Sequence, residues 1–322
     1  RIEKVCKVNV CMAFLSNEYF RRKVHRIWFE PKNKWTNYLR LIIEECFLWA
    51  NLKFSQYDVV HLTSELLLSA FRWTRKPIVI TIHDMIPELI MSSPKVVNRR
   101  KYAIYHASHI ICVSKNTQND LLRLYPDIPM ERTTVIYHGH SSIKYEYNRL
   151  IQDRYLLFVG ARTKEYKNFD TVLKSLASIM INNGVKLVCT GTAFDNYEKA
   201  LIQELNIEKY VVNVGYVDNN ELASLYHFAA CFIYPSLYEG FGIPILEAWT
   251  HKCPVCVSDA SCFPEIGGDA VAYFDPNASG YQSRGFCAMQ IWQTGLLLEE
   301  KNVWSRFLGR EQPKAILRCI GK

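Results

Sequence analysis

The chain reads as an α/β protein with two Rossmann-like domains, and three observations lead to that expectation. From about residue 56 onward, ten short β-branched or apolar runs alternate with amphipathic stretches. Repeated alternation of this kind builds parallel sheets with helices on both faces, since parallel neighbours must be joined by a crossover that packs back on the sheet. The length, 322 residues of which 49% are apolar, exceeds one average domain. Finally, all 14 glycines lie at or after Gly139. The polar stretch HGHSSIKYEYNRLIQDR (residues 138–154) separates two strand–helix series, which puts the boundary near residue 150. The expected division is a first domain over 1–150 and a second over 151–322, with an atypical tail from about 277.

Taken in order, the segment RRKVHRIWFEPKNKW (residues 21–35) carries the densest positive charge, with Trp28, Phe29 and Trp35 interleaved. Two readings stand: a surface that rests on an anionic membrane, or a solvated basic face with a few buried aromatics. The strands expected before the boundary lie in YDVVHLT, PIVITIHD, SHIICVS and TTVIYH. Those after it lie in YLLFVG, VKLVCTG, VVNVGYV, CFIYPS, CPVCVSD and VAYFDP. Between them, Phe169, Val172, Leu173, Leu176, Ile179 and Met180 keep helical spacing, starting at an Asn168 cap and stopping at Asn183-Gly184. After Pro276 the alternation ends, and one helix is expected around residues 293–308.

Composition narrows the function classes. No apolar stretch reaches the roughly 18–20 residues needed to cross a bilayer, and the basic first segment is not followed by a signal-peptide core. The expected location is cytoplasmic, soluble or peripheral on the inner face of the plasma membrane. The 11 cysteines sit in apolar runs, which fits a reducing compartment better than a disulfide framework. Cys253 and Cys256 have metal or redox spacing but no matching second pair, so strand packing is the favoured reading. The pairs His106/His109 and His138/His140 lack nearby ligand partners, and metal binding is the minority reading for both. A formal charge of +8 favours a phosphate-bearing partner.

Two loops draw attention as a site. FVGARTKEYKNFD ends a strand at Gly160 and carries Arg162, Lys164 and Lys167 toward the next helix. A guanidinium and an ammonium at the carboxyl edge of a sheet can neutralise a diphosphate and the charge on its departure. No Asp-x-Asp pair is present to chelate a metal there, so cations of the protein are expected to serve instead. YEGFGIPILEAW holds Glu239 and Glu247 around two glycines and a proline. On one continuous helix these acids would project roughly 80° and about 12 Å apart. Gly240, Gly242 and Pro244 argue instead for a loop carrying Glu239 and a helix whose first turn carries Glu247. The amides of Phe241, Gly242 and Ile243 at that helix start suit an anion or sugar hydroxyls. Glu247 can accept from a ribose and Glu239 from a hexose; the competing reading is a helix-start carboxylate at 247 and a surface acid at 239.

YPSLYEGFGIPILEA and SDASCFPEIGGDAVAYFDP, preceded by FVGARTKEYKNF and GYVDNNELASLY, resemble the retaining glycosyltransferases of family 4, most closely bacterial enzymes, often mannosyltransferases, that extend lipid-linked polysaccharides. TIHDMIPE and ICVSKNTQNDLL add weaker matches in the first half. The resemblance implies the GT-B fold, two Rossmann-like domains facing across a cleft, with the first expected to be incomplete at its N-terminus. It implies that Arg162 and Lys167 bind the donor diphosphate, that Glu247 holds the ribose, and that Glu239 with the backbone from Gly240 through Ile243 positions the donor sugar. His83, otherwise readable as a core histidine, is implied to face that sugar. No metal or other cofactor is expected, and transfer keeps the anomeric configuration without an enzyme nucleophile. The expected partners are a nucleotide-sugar donor, GDP-mannose favoured, and a saccharide or polyprenyl-linked acceptor, with no nucleic acid. The alternative is a truncated, catalytically silent relative that still binds nucleotide sugar, because the glycine-free first half lacks the family's usual glycine-rich loop.

Overall fold

In the computed structural model the described residues are 14–15, 27–28, 34–63, 68–91, 93–139 and 145–277. The expected tail helix, His140 and most of the basic segment fall outside them. The chain divides into two units: one comprises residues 1–82, 93–111 and 128–134, the other 83–92, 112–127 and 135–322.

In the first unit, β1 (Phe14–Leu15) and β2 (Ile27–Trp28) form a short parallel pair. The 21-residue helix α1 (Lys34–Phe54) follows. A four-stranded sheet runs in the order β3 (Val60–Leu62), β4 (Ile78–Ile82), β5 (His109–Cys112), β6 (Thr133–Val135), with β3 and β4 parallel. Helices α2 (Ala70–Trp73) and α3 (Pro94–His106) connect these strands. The end of α3 has carbonyls with no partner inside the helix, and Arg132 supplies one: its Nη2 donates to Ile104 O at 3.1 Å, to Tyr105 O at 3.3 Å and to Ala107 O.

The second unit is built on a six-stranded, wholly parallel sheet. Its strands are β7 (Tyr155–Phe158), β8 (Lys186–Cys189), β9 (Val211–Asn213), β10 (Cys231–Tyr234), β11 (Val255–Ser258) and β12 (Ala272–Phe274). They are ordered β12-β11-β10-β7-β8-β9. Every one of the ten expected runs therefore contains a strand. Both faces are covered, as the pleat requires: Tyr155 and Leu157 pack into one core, Leu156 and Phe158 into the other. Cys189, Cys231 and Cys256 fill the second core as small hydrophobes, and burial pushes the Cys256 thiol up to about 12.

The helices of this unit are α4 (Lys115–Leu124), α5 (Phe169–Asn183), α6 (Asn196–Glu204), α7 (Asn219–Phe228), α8 (Ile243–Thr250) and α9 (Phe263–Gly267). The apolar stripe read on α5 is buried in full, and Gly184 closes that helix at φ +64°. Helices α6 and α7 each begin with a capping box, Asp195 with Glu198 and Asp218 with Glu221. The start of α4 is capped by Ser114, whose Oγ accepts from Thr117 N, and from α9 by Glu265, whose carboxylate accepts from Lys115 N at 2.7 Å and Asn116 N at 3.0 Å. An acid suits this amide-rich, positive helix end.

Candidate active site

The sheet order places the chain's reversal between β7 and β10: β8 and β9 build outward on one side, β11 and β12 on the other. Ligands of such sheets sit beyond the carboxyl ends of the strands at this switch point. The loops leaving β7 and β10, which hold the sequence-predicted cations and acids, therefore start from adjacent strands. Leu237 N donates to Tyr166 O at 2.7 Å and ties the two loops together. Lys167 Nζ reaches Glu239 Oε1 at 2.6 Å, with the two side chains only 17% and 13% exposed. The ammonium also lies 5.2 Å from the Tyr166 ring centre and 5.7 Å from that of Tyr234. The Glu239 backbone is pinned in turn, its N–H donating to Ser261 Oγ at 3.0 Å while the Ser261 hydroxyl donates back to Glu239 O at 3.2 Å.

Arg162 does something different from Lys167. Its side chain is fully buried: Nε donates to Glu198 Oε1 at 2.9 Å, Nη1 to Thr190 O at 2.7 Å and Nη2 to Thr192 O. The guanidinium also lies 4.7 Å from the Phe194 ring centre. It thus holds the segment after β8 to the start of α6, and no hydrogen bond or ion pair among the described residues joins it to Lys167, Glu239 or Glu247. The sequence pattern could not show this, because Glu198 lies 36 positions away. The one local clue was the Asp-x-x-Glu of the capping box, whose Glu198 carboxylate has a second oxygen to offer.

The region from Gly240 to Ile243 turns sharply. Gly240 O accepts from Thr117 Oγ1 at 3.1 Å, and a Cβ at Gly240 would stand 1.7 Å from the carbonyl oxygen of His83. Only a glycine permits that approach. Gly242 adopts φ +89° and is the N-cap of α8. Glu247 is the fifth residue of that helix, so it lies in the second turn and not the first as expected. The macrodipole reading of this acid therefore loses its basis, since that effect fades beyond the first turn. Ile245, Leu246 and Ala248 face the core, while Ile243 and Glu247, one turn apart, share the opposite face. Glu247 Oε2 accepts from the buried Tyr226 hydroxyl at 3.2 Å.

His83 is exposed, contrary to the reading of a core histidine. Its Nδ1 lies 3.3 Å from Nε2 of His138, with the two rings nearly parallel, and His138 packs edge-on to Phe241 at 5.2 Å. His83, His138 and Phe241 of the glutamate loop thus come together within the second unit. Burial, and secondarily the neighbouring His83, lower the basicity of His138. A depressed histidine makes the unfolded chain the better proton acceptor, so its contribution to stability is present above the ordinary imidazole value and lost as pH falls below it. Melting temperature should fall between pH 7.5 and pH 5.5, and less so in His138→Asn. Parallel pH profiles for the two proteins would contradict this assignment.

Residues 5–141 match the family model for glycosyltransferase family 4, and residues 143–283 match that for glycosyl transferases group 1. The chain belongs to the family 4 glycosyltransferases. It is 29% identical over 202 residues to the O-antigen chain mannosyltransferase RfbU of Salmonella typhimurium, covering 62% of this chain and 56% of that protein. It is 28% identical over 187 residues to O-antigen chain mannosyltransferase B of Escherichia coli, covering 53% and 48% respectively. The chain thus spans about half the length of these curated relatives. Among solved structures, Anabaena HepE in complex with UDP and glucose superposes with a TM-score of 0.69 at 18% identity, over 94% of this chain and 84% of that one. Sucrose-phosphate synthase of Thermosynechococcus elongatus superposes at 0.66, also at 18% identity, over 91% and 76%. These superpositions establish the fold, which is GT-B with two Rossmann-like domains. No described helix is long and apolar enough to cross a membrane.

Proposed function

We propose that this glycosyltransferase moves a hexose, mannose from GDP-mannose being the favoured case, onto a saccharide acceptor carried on a lipid, in the synthesis of a cell-surface polysaccharide. The observation that carries the proposal is the Lys167–Glu239 contact at the switch point, with Glu247 half-buried on the following helix. Lys167 meets the donor diphosphate, Glu247 accepts from the ribose hydroxyls, and Glu239 with the backbone at Phe241 and Gly242 orients the sugar. His83 faces the sugar from the other loop. The cation needed at the leaving diphosphate is supplied by Lys167, with no metal in the reaction. Retention then follows from acceptor attack on the face that the diphosphate leaves: the glycosidic bond forms as the bond to phosphate breaks, and the departing phosphate oxygen takes the acceptor's proton. The mannosyltransferases among the relatives favour mannose, and their O-antigen context favours the polysaccharide acceptor.

Isothermal titration with GDP-mannose, UDP-glucose, UDP-N-acetylglucosamine and dTDP-rhamnose tests the donor site. One of these should bind, and Glu247→Ala should weaken it by about ten- to hundredfold, the worth of lost hydrogen bonds to a charged group of roughly 1.5–3 kcal/mol. Unchanged affinity in the variant would remove the ribose assignment. Binding without release of nucleotide in the presence of acceptor would favour the silent relative instead.

A further inference from the structure

Each of the two glutamates has a buried tyrosine beneath it that the sequence did not single out. Tyr226, in the last turns of α7, is fully buried against Phe232 and His251, with ring centres 5.3 Å and 6.0 Å away. Its hydroxyl lies 3.2 Å from Glu247 Oε2, and since a carboxylate only accepts, the phenol must donate. Tyr234, the last residue of β10, is 5% exposed and packs on Phe263 with ring centres 4.8 Å apart. The charge of Glu239, the acid that also takes Lys167, adds to burial in keeping this phenol protonated. Both phenols are rooted in rigid elements, whereas Glu239 is carried by a loop and Glu247 by an eight-residue helix.

We propose that Tyr226 is a positioning residue for the donor site, donating its phenolic hydrogen to the Glu247 carboxylate and holding that acid in the orientation that meets the donor. The proposal rests on the donor-site reading above. Burial, then the charge of Glu247, keeps the Tyr226 phenol protonated far above its ordinary range, so it remains a donor. A hydrogen bond to a carboxylate also favours its ionised form, which is the form that accepts from sugar hydroxyls.

The test is a double-mutant cycle on donor affinity, using the tightest-binding member of the four-nucleotide-sugar panel. Tyr226→Phe keeps the ring and removes only the hydroxyl. It should weaken the donor by about tenfold, as expected for one hydrogen bond to a charged group, and move the acid limb of donor binding to higher pH. In the Glu247→Ala background the same substitution should have no further effect, because its route of action is gone. Additive losses, or unaltered affinity and pH limb in Tyr226→Phe while Glu247→Ala weakens binding, would overturn the proposal and leave the donor site standing. Unaltered affinity in Glu247→Ala itself would instead overturn the donor-site reading and this inference with it. Unfolding midpoints measured in parallel keep general destabilisation apart from loss of positioning, and a Tyr226→Phe protein that does not fold would itself overturn the proposal, because the phenol would then hold the fold and not the acid.

Discussion

Gly240→Ala should abolish most activity. The added methyl would stand 1.7 Å from His83 O, 2.7 Å from His83 C and 3.0 Å from Asp84 Cα, all backbone atoms that cannot rotate away. Either the His83 segment or the Gly240 loop must therefore shift, and a shift of the loop disturbs the Lys167–Glu239 and Thr117–Gly240 contacts. A misplacement of about 1 Å in a catalytic constellation typically costs on the order of a hundredfold in rate, and overpacking adds roughly 1–3 kcal/mol of destabilisation. Nucleotide release under saturating donor, together with a thermal melt, reads both. An alanine variant with wild-type turnover would show that the close approach at Gly240 is not needed for the site.

The second large effect is expected at Arg162. Arg162→Ala leaves the Glu198 carboxylate in a site where that side chain is 5% exposed, and breaking a buried pair from one side costs about 3–5 kcal/mol. Urea denaturation should show that loss, and the double variant Arg162→Met, Glu198→Gln should recover part of it, because no unpaired charge then remains. The sequence reading made Arg162 a diphosphate ligand, and the two roles separate cleanly. A diphosphate ligand would lose donor affinity with little change in stability, whereas the buried pair loses stability first. A loss below about 1 kcal/mol, taken with a strong fall in donor affinity, would restore the direct contact.

Much of the architecture was legible because it is local. β-Branched runs such as YLLFVG and VKLVCTG cannot satisfy their backbone except in a sheet, and the stripe from Phe169 to Met180 has one apolar face to bury. The loop at Glu239 was legible for the same reason, since Gly240, Gly242 and Pro244 exclude a continuous helix. What escaped depends on partners distant in sequence. Glu198 claims Arg162 from 36 positions away, Tyr226 reaches Glu247 across 21, and His83 meets His138 across 55. The placement of Glu247 in the second turn missed by one turn because Gly242, in the left-handed region, ends the loop and lets α8 begin at Ile243, ahead of the proline.

The most direct measurement is the affinity of wild-type protein and Lys167→Ala for the tightest-binding nucleotide sugar and for its parent nucleoside. Loss of one charge-assisted contact, roughly 1.5–3 kcal/mol, should weaken the nucleotide sugar by about ten- to hundredfold and leave the nucleoside, which carries no phosphate, unaffected. Equal affinity of the two proteins for the nucleotide sugar would contradict a diphosphate site between the loops that follow β7 and β10.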